Sequence, residues 1–167
     1  NLETKPRESF EICKIEDEIL VDVSDTKISM SVIGDIMCHN TQYNDAYNSK
    51  TGQYDFSYVF EDIKQYVENA DIAIGNLETT FAGSKRGYSS YPTFNTPEVL
   101  AQDLKDLGID VVSTANNHSL DTGYKGIEST IDYLDEVGIL HTGTYKSEVD
   151  QDKIVIKEVN GLKFAFL

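Results

Sequence analysis

Four short apolar runs, "KISMSVIGD" (27–35), "DIAIGNLE" (71–78), "IDVVS" (109–113) and "ILHTGTY" (139–145), are separated by stretches with helical spacing. In 54–70, Phe56, Val59, Phe60, Ile63, Tyr66 and Val67 recur at that spacing; in 123–138, Ile127, Ile131, Leu134 and Val137 do so. Strands alternating with helices have to run parallel and be joined by right-handed crossovers. This predicts an α/β fold of βαβ units. Thr96-Pro97-Glu98 reads as an N-cap with proline in the first turn, and Gly108 as the matching C-cap. Asn160-Gly161 inside "KIVIKEVNGLKFAFL" (153–167) predicts a hairpin. Residues 79–96, rich in Gly, Ser, Tyr and Thr, form the longest irregular stretch.

A parallel sheet binds ligands beyond the carboxyl ends of its strands. Those ends carry Asp35, then Asn76 and Glu78, then Asn116, Asn117, His118 and Asp121, then His141. The set is mainly oxygen donors with some imidazole, which suits Mn, Mg, Fe or Zn in a hydrolytic site better than a thiolate-held structural zinc. Each residue alone has an ordinary alternative. Asp35 serves equally well as a cap, Glu78 as a surface carboxylate, and Asn116 and Asn117 as loop formers. His118 and, more so, His141 suit hydrogen-bonded packing. His39, four residues after Asp35, lacks a strand end to fix it. The joint occurrence at successive strand ends raises the functional reading. Tyr88, Tyr91 and Phe94 around Pro92 either wall a pocket over the site or pack down onto the sheet. Arg86, beside Lys85, offers an anion one of the few positive charges in the chain.

The 167 residues carry 29 acidic against 14 basic side chains, a formal charge of −15, which argues against binding nucleic acid or anionic lipid. Two cysteines, Cys13 and Cys38, form no CxxC. Cys38 reads as a small buried hydrophobe, and a bridge to Cys13 stays open for an oxidising compartment. No apolar run has the length of a membrane span. Residues 1–26 read as an acidic lead-in and 27–167 as the domain. The chain starts at Asn1, without Met, and stops within the apolar "GLKFAFL", so it is expected to be a processed or cut portion of a larger fold.

"GDIMCH" (34–39), "YDFSYVFEDIKQYVENADIAIGNLETTFAG" (54–83) and "YPTFNTPEVLAQDLKDLGIDVVSTANNHSLDTGYKGIESTIDYLDEVGILHTGTY" (91–145), in that order, resemble the CapA family of bacterial capsule or poly-γ-glutamate biosynthesis proteins. The resemblance covers about residues 28–167. It implies a branch of the calcineurin-like metallophosphoesterases, whose fold is a four-layer α/β/β/α sandwich around two metal ions. On that resemblance Asp35, Glu78 and Asn117 are metal ligands, with Glu78 as the bridging carboxylate, and His118 is the catalytic histidine. Asn76, Arg86, Tyr91, Phe94, Asn116 and Asp121 are candidates for substrate contact. The superfamily's Asp-x-His is absent, because Met37 stands at its third position. Its histidine-rich motifs are expected beyond this chain, so that the fragment by itself is expected to be inactive.

The implied function is a metal-dependent hydrolase of capsule or cell-surface polymer synthesis, acting on an anionic polymer or a phosphoester. The alternative is a non-catalytic scaffold in a polymer synthesis or export complex that includes membrane synthase subunits. Either implies placement outside a bacterial cell or at its surface, with signal or anchor removed. An uncovered sheet edge in such a fragment favours self-association.

Overall fold

The computed structural model describes residues 26–167. The acidic lead-in and Cys13 lie outside the described residues, apart from position 26. The central sheet contains β1 (Met30–Ile36), β4 (Ile72–Leu77), β5 (Val111–Ser113) and β6 (Leu140–Thr142), in the order β1-β4-β5-β6 with every pair parallel. The crossovers carry α1 (Asn40–Asp45), a small hairpin of β2 (Tyr47–Asn48) and β3 (Gln53–Tyr54), α2 (Glu61–Glu68), α3 (Val99–Leu107) and α4 (Tyr124–Val137). A short α5 (Glu148–Gln151) precedes the antiparallel hairpin of β7 (Val155–Val159) and β8 (Leu162–Phe166). The expected α/β class and parallel sheet are observed.

The central strands are buried as a parallel sheet requires. Ala73, Leu77 and Val112 share one core with Leu100, Ala101, Leu104 and Leu107 of α3 and Leu134 of α4, and Ile72 and Val111, next to them along the strands, are buried as well. Full burial of each such side chain stabilises by roughly 1.5–3 kcal/mol. Gly108 and Gly138 end α3 and α4 in left-handed conformations, at φ 103° and 72°, where a Cβ would be strained. Asn160 and Gly161 both have positive φ, 50° and 80°, as a two-residue hairpin turn demands.

Three local expectations need correction. The 54–70 stretch is not one helix. Tyr54 belongs to β3, a 3-10 turn fills Ser57–Phe60, and only Glu61–Glu68 is α-helical. Val59 of the turn and Ile63 and Tyr66 of the helix stay exposed; α2 packs against α3 and the turn, which leaves this part of the apolar stripe uncovered. Thr96 does not cap α3. Its Oγ1 lies 2.6 Å from Thr79 Oγ1 in the interior, and the helix begins at Val99. β1 also contains an irregularity that was not expected from the sequence. Met30, Ser31 and Val32 pair with Ile72, Ala73 and Ile74, whereas Asp35 pairs with Asn76. One extra residue sits in β1, and a one-residue slip moves a side chain to the other face. The bulge therefore brings Asp35 into register with Asn76.

Two tight places yield predictions. Gly143 has φ +111°, and a Cβ there would lie 2.6 Å from Ala115 Cβ and 2.7 Å from the Ala115 nitrogen. Gly34, inside the bulge, has no neighbour within 4 Å of a built Cβ. Gly143→Ala is therefore expected to lower the thermal midpoint by roughly 5 °C or more, in line with a strained backbone costing about 1–3 kcal/mol, and Gly34→Ala by much less. Equal melting shifts would refute this account of the Gly143 contact.

At the other end of β1, Asp71 Oδ2 accepts from the Ser29 backbone N at 2.8 Å and from Ser29 Oγ at 2.7 Å. These hydrogen bonds hold the Asp71 carboxyl below its ordinary value. A depressed folded pKa contributes stability that is present above the unfolded value and lost as pH falls through the folded one. Asp71→Asn is expected to be less stable than wild type at neutral pH, with the gap closing on acidification through that range. Denaturant titrations at stepped pH measure the gap; a constant difference would sink the prediction.

Candidate active site

Asp35 near the end of β1 and Asn76 in β4 are register partners, and Glu78 lies two residues after Asn76, hence on the same side of the chain. Asn76 Nδ2 donates to Asp35 Oδ1 at 2.8 Å and to Glu78 Oε2 at 3.1 Å. One amide thus ties two carboxylates together. Its own oxygen accepts from Asn116 Nδ2 at 3.2 Å, and Asn116 Nδ2 also donates to the Leu77 carbonyl at 2.9 Å. The chain of amides runs from β1 across β4 to the loop after β5. Glu78 is raised above the usual carboxylate range, first by desolvation and next by the negative charge of Asp35, with His118 opposing. Among the described residues no lysine or arginine forms an ion pair with either carboxylate.

The loop after β5 is built by its own polar side chains. Asn116 Oδ1 accepts from the His118 backbone N at 3.0 Å, and Ser119 Oγ donates to the carbonyls of Thr114 and Asn116 at 2.6 and 2.8 Å. His118 is thereby turned back over the strand ends. Its Nδ1 is 2.8 Å from Asp121 Oδ2, and its Nε2 is 3.9 Å from Glu78 Oε1. An ionised Asp121 takes the Nδ1 proton in a hydrogen bond, which leaves Nε2 facing Glu78. The side chains of His118, Glu78 and Asp121 are 11–12% exposed, enough for a small ligand to reach them. Asn117 stands exposed at the tip of the same loop.

The aromatic loop divides. Phe94 is buried with its ring 4.7 Å from that of His118, and its backbone N donates to Asp121 Oδ2 at 2.6 Å. Tyr91 is exposed, 6.5 Å from the same imidazole. His39 closes the far side of Phe94 at 5.4 Å, so the loop brings it close to the site although no strand end fixes it. Tyr88 turns away to bond Glu98, and Arg86 lies exposed in a 3-10 turn, Ser84–Arg86, outside this cluster of contacts. His141 lies within β6, opposite Val112, with Nε2 3.1 Å from Asp135 of α4. The fourth strand therefore supplies a packing histidine rather than a donor at the common edge. Cys38 is buried in the core, and burial pushes its thiol up to about 11.

Sequence reasoning missed the group that holds the aromatic loop in place. Asn95 is fully buried; its Oδ1 accepts from Ala82 N at 2.8 Å and its Nδ2 donates to the Gly87 carbonyl at 2.8 Å. Thr80 Oγ1 donates to the Phe94 carbonyl at 2.7 Å and accepts from Thr122 Oγ1 at 2.8 Å. The paired Thr79-Thr80 directly after Glu78 was the available signal, since two hydroxyls following a buried strand need partners.

The oxygen donors of Asp35 and Glu78 are of the type that hard divalent cations take, and no lysine or arginine pairs with them among the described residues. Among the described residues no three His, Cys, Asp or Glu side chains are grouped closely enough to hold an ion.

A family model described as bacterial capsule synthesis protein PGA_cap matches residues 29–167. The capsule biosynthesis protein CapA of Bacillus anthracis is 30% identical over 145 residues, covering 84% of this chain and 34% of that protein. The PGA biosynthesis protein CapA of Bacillus subtilis (strain 168) is 26% identical over 147 residues, covering 86% of this chain and 37% of that protein. The chain thus spans about a third of the length of these relatives.

Asp121→Ala removes the acceptor for both Phe94 N and His118 Nδ1. The buried Phe94 N–H then lacks a partner, at a cost of about 1–3 kcal/mol. Chemical denaturation should show that loss, and proteolysis should speed up within 84–94. Asp121→Ala with wild-type stability would mean that this carboxylate does not anchor the loop.

Proposed function

The chain belongs to the PGA_cap family of bacterial capsule synthesis proteins, and on that premise we propose that it contributes a metal-dependent hydrolytic site to capsule or poly-γ-glutamate synthesis. The observation that carries this reading is the Asp35–Asn76–Glu78 bridge lying opposite an imidazole that Asp121 has already oriented. Asp35, Glu78 and Asn117 would hold the divalent metal. A bound Mn, Fe, Zn or Mg supplies positive charge against the charge that develops on a phosphoryl or carbonyl oxygen.

The chain's own residues do the rest. Asn76 fixes the separation of the carboxylates, so that neither has to be ordered when substrate arrives. Asp121 holds Nδ1, which leaves Nε2 of His118 to carry a proton to a departing oxygen. The buried Phe94 ring excludes water from one face of that imidazole, and Tyr91 stands at the open side where a substrate would enter. The substrate of this reading is an anionic cell-surface polymer or a phosphoester. Its setting is outside the cell or at the surface, in company with membrane synthase subunits. Among the described residues no helix is long and apolar enough to cross a membrane.

A second reading keeps the same fold as a non-catalytic binding subunit of a synthesis or export complex. The shortage of grouped His, Cys, Asp and Glu ligands among the described residues favours it.

Elemental analysis of the full-length protein, purified without chelator, separates the two. Near-stoichiometric metal that disappears in Asp35→Ala/Asn117→Ala supports the hydrolase. His118→Ala is then expected to retain metal while turnover against a generic phosphoester falls by roughly 10²–10⁴. Absence of metal after soaking with each ion leaves the scaffold reading in place; loss of metal in His118→Ala makes that residue a ligand and not the proton carrier.

A further inference from the structure

The 79–96 loop has a second face, which the hydrolytic reading does not use. Tyr88 turns from the site into a group of phenols drawn from three other elements: Tyr43 of α1, Tyr47 of β2 and Tyr54 of β3. The Tyr54 and Tyr88 rings stand nearly perpendicular, at 86°, with centroids 5.3 Å apart. Tyr43 lies 6.4 Å from Tyr88, and Tyr47 lies 5.0 Å from Tyr54. A cavity of about 300 Å³ opens beside the perpendicular pair and is lined by Tyr54, Tyr88, Glu98, Gln53, Pro97 and Val99.

We propose that this corner of Tyr54 and Tyr88 over Glu98 is a binding site for an organic ammonium group, of the methylated amine or choline type. Aromatic faces carry partial negative charge and attract a cation lying within about 6 Å of the ring centre. Two faces at right angles present that charge from two directions. Glu98 supplies a full countercharge, and the Tyr88 hydroxyl donates to its Oε2 at 2.9 Å, fixing the carboxylate and leaving Oε1 for a ligand. Among the described residues no lysine, arginine or histidine lines the cavity. The chain's charge of −15 works in the same direction.

Packing of the β2–β3 hairpin accounts for the ring contacts but not for a carboxylate at the mouth of an aromatic cavity. A phosphate or carboxylate ligand meets Glu98 without a compensating cation, so an anionic occupant is excluded. The site is independent of the hydrolytic reading and stands or falls without it.

The test compares choline with 3,3-dimethylbutan-1-ol, its neutral isostere. The chain contains no tryptophan and 10 tyrosines, so tyrosine fluorescence or NMR shifts report on these rings directly. Choline is expected to bind roughly tenfold more tightly than the alcohol. Glu98→Gln should weaken choline several-fold. Tyr54→Phe should retain binding, and Tyr54→Leu should abolish it at an unchanged far-UV CD spectrum. If Tyr54→Leu misfolds, the Glu98→Gln variant and the isostere decide the matter. Equal affinity for choline and alcohol, or no saturable choline response, overturns the proposal. Sedimentation with phosphatidylcholine vesicles, reversed by choline, assigns the ammonium to a lipid headgroup; choline binding without sedimentation assigns it to a free amine. Either result upholds the site.

Discussion

One carboxylate oxygen, Oδ2 of Asp121, accepts from the Phe94 backbone at 2.6 Å and contacts His118 Nδ1 at 2.8 Å. This pair of bonds joins two long loops that the sheet alone does not bring into contact. The loop after β5 arrives with His118, and the loop between β4 and α3 arrives with Phe94. Buried hydroxyls continue the seam, from Phe94 through Thr80 to Thr122 at the entry to α4. Buried polar groups are expensive unless satisfied. These are satisfied by one another, so the loops have one arrangement that leaves no donor stranded.

The electrostatics follow from this arrangement. A pair of carboxylates joined through one amide would spread apart in water, but Asn76 holds them between β1 and β4 with its oxygen already committed to Asn116. Some acidic groups elsewhere are paired with lysine, as in Lys157 with Asp110 and Lys146 with Asp132 and Asp135. Neither Asp35 nor Glu78 has a lysine or arginine ion-pair partner among the described residues, and His118 Nε2 stands 3.9 Å from Glu78.

The sheet could be read from the sequence because burial acts on continuous strings. "DIAIGNLE" and "IDVVS" have to be covered on both faces, and Gly108 and Gly138 mark helix ends through a backbone conformation that few other residues adopt. Asp35, Glu78 and His118 could be placed on one edge because strand ends in a parallel sheet lie side by side. The bulge in β1 was missed although Gly34 hints at it, since a glycine inside a strand pattern suits a strand end as well as a bulge. The destination of Thr96 was hidden, because a hydroxyl before Pro-Glu suits a helix cap as well as a buried partner such as Thr79. The exposure of Ile63 and Tyr66 depends on what α2 packs against, which is a tertiary fact. His141, whose spacing also matches a strand end, is the packing histidine that the sequence favoured, bonded to Asp135 of a helix.

The amide chain has a cost in time. Asp35 and Asn76 are 41 positions apart, and Asn76 and Asn116 are 40 apart. Each link closes a loop that carries an entire crossover helix, and contacts of such sequence separation form slowly because the loop entropy is lost before any bond compensates for it. The helices and the Asn160-Gly161 hairpin are local and need no such closure. A polypeptide interrupted before residue 116 would therefore lack the second link of the amide chain, from Asn76 to Asn116, and with it the closure of this edge.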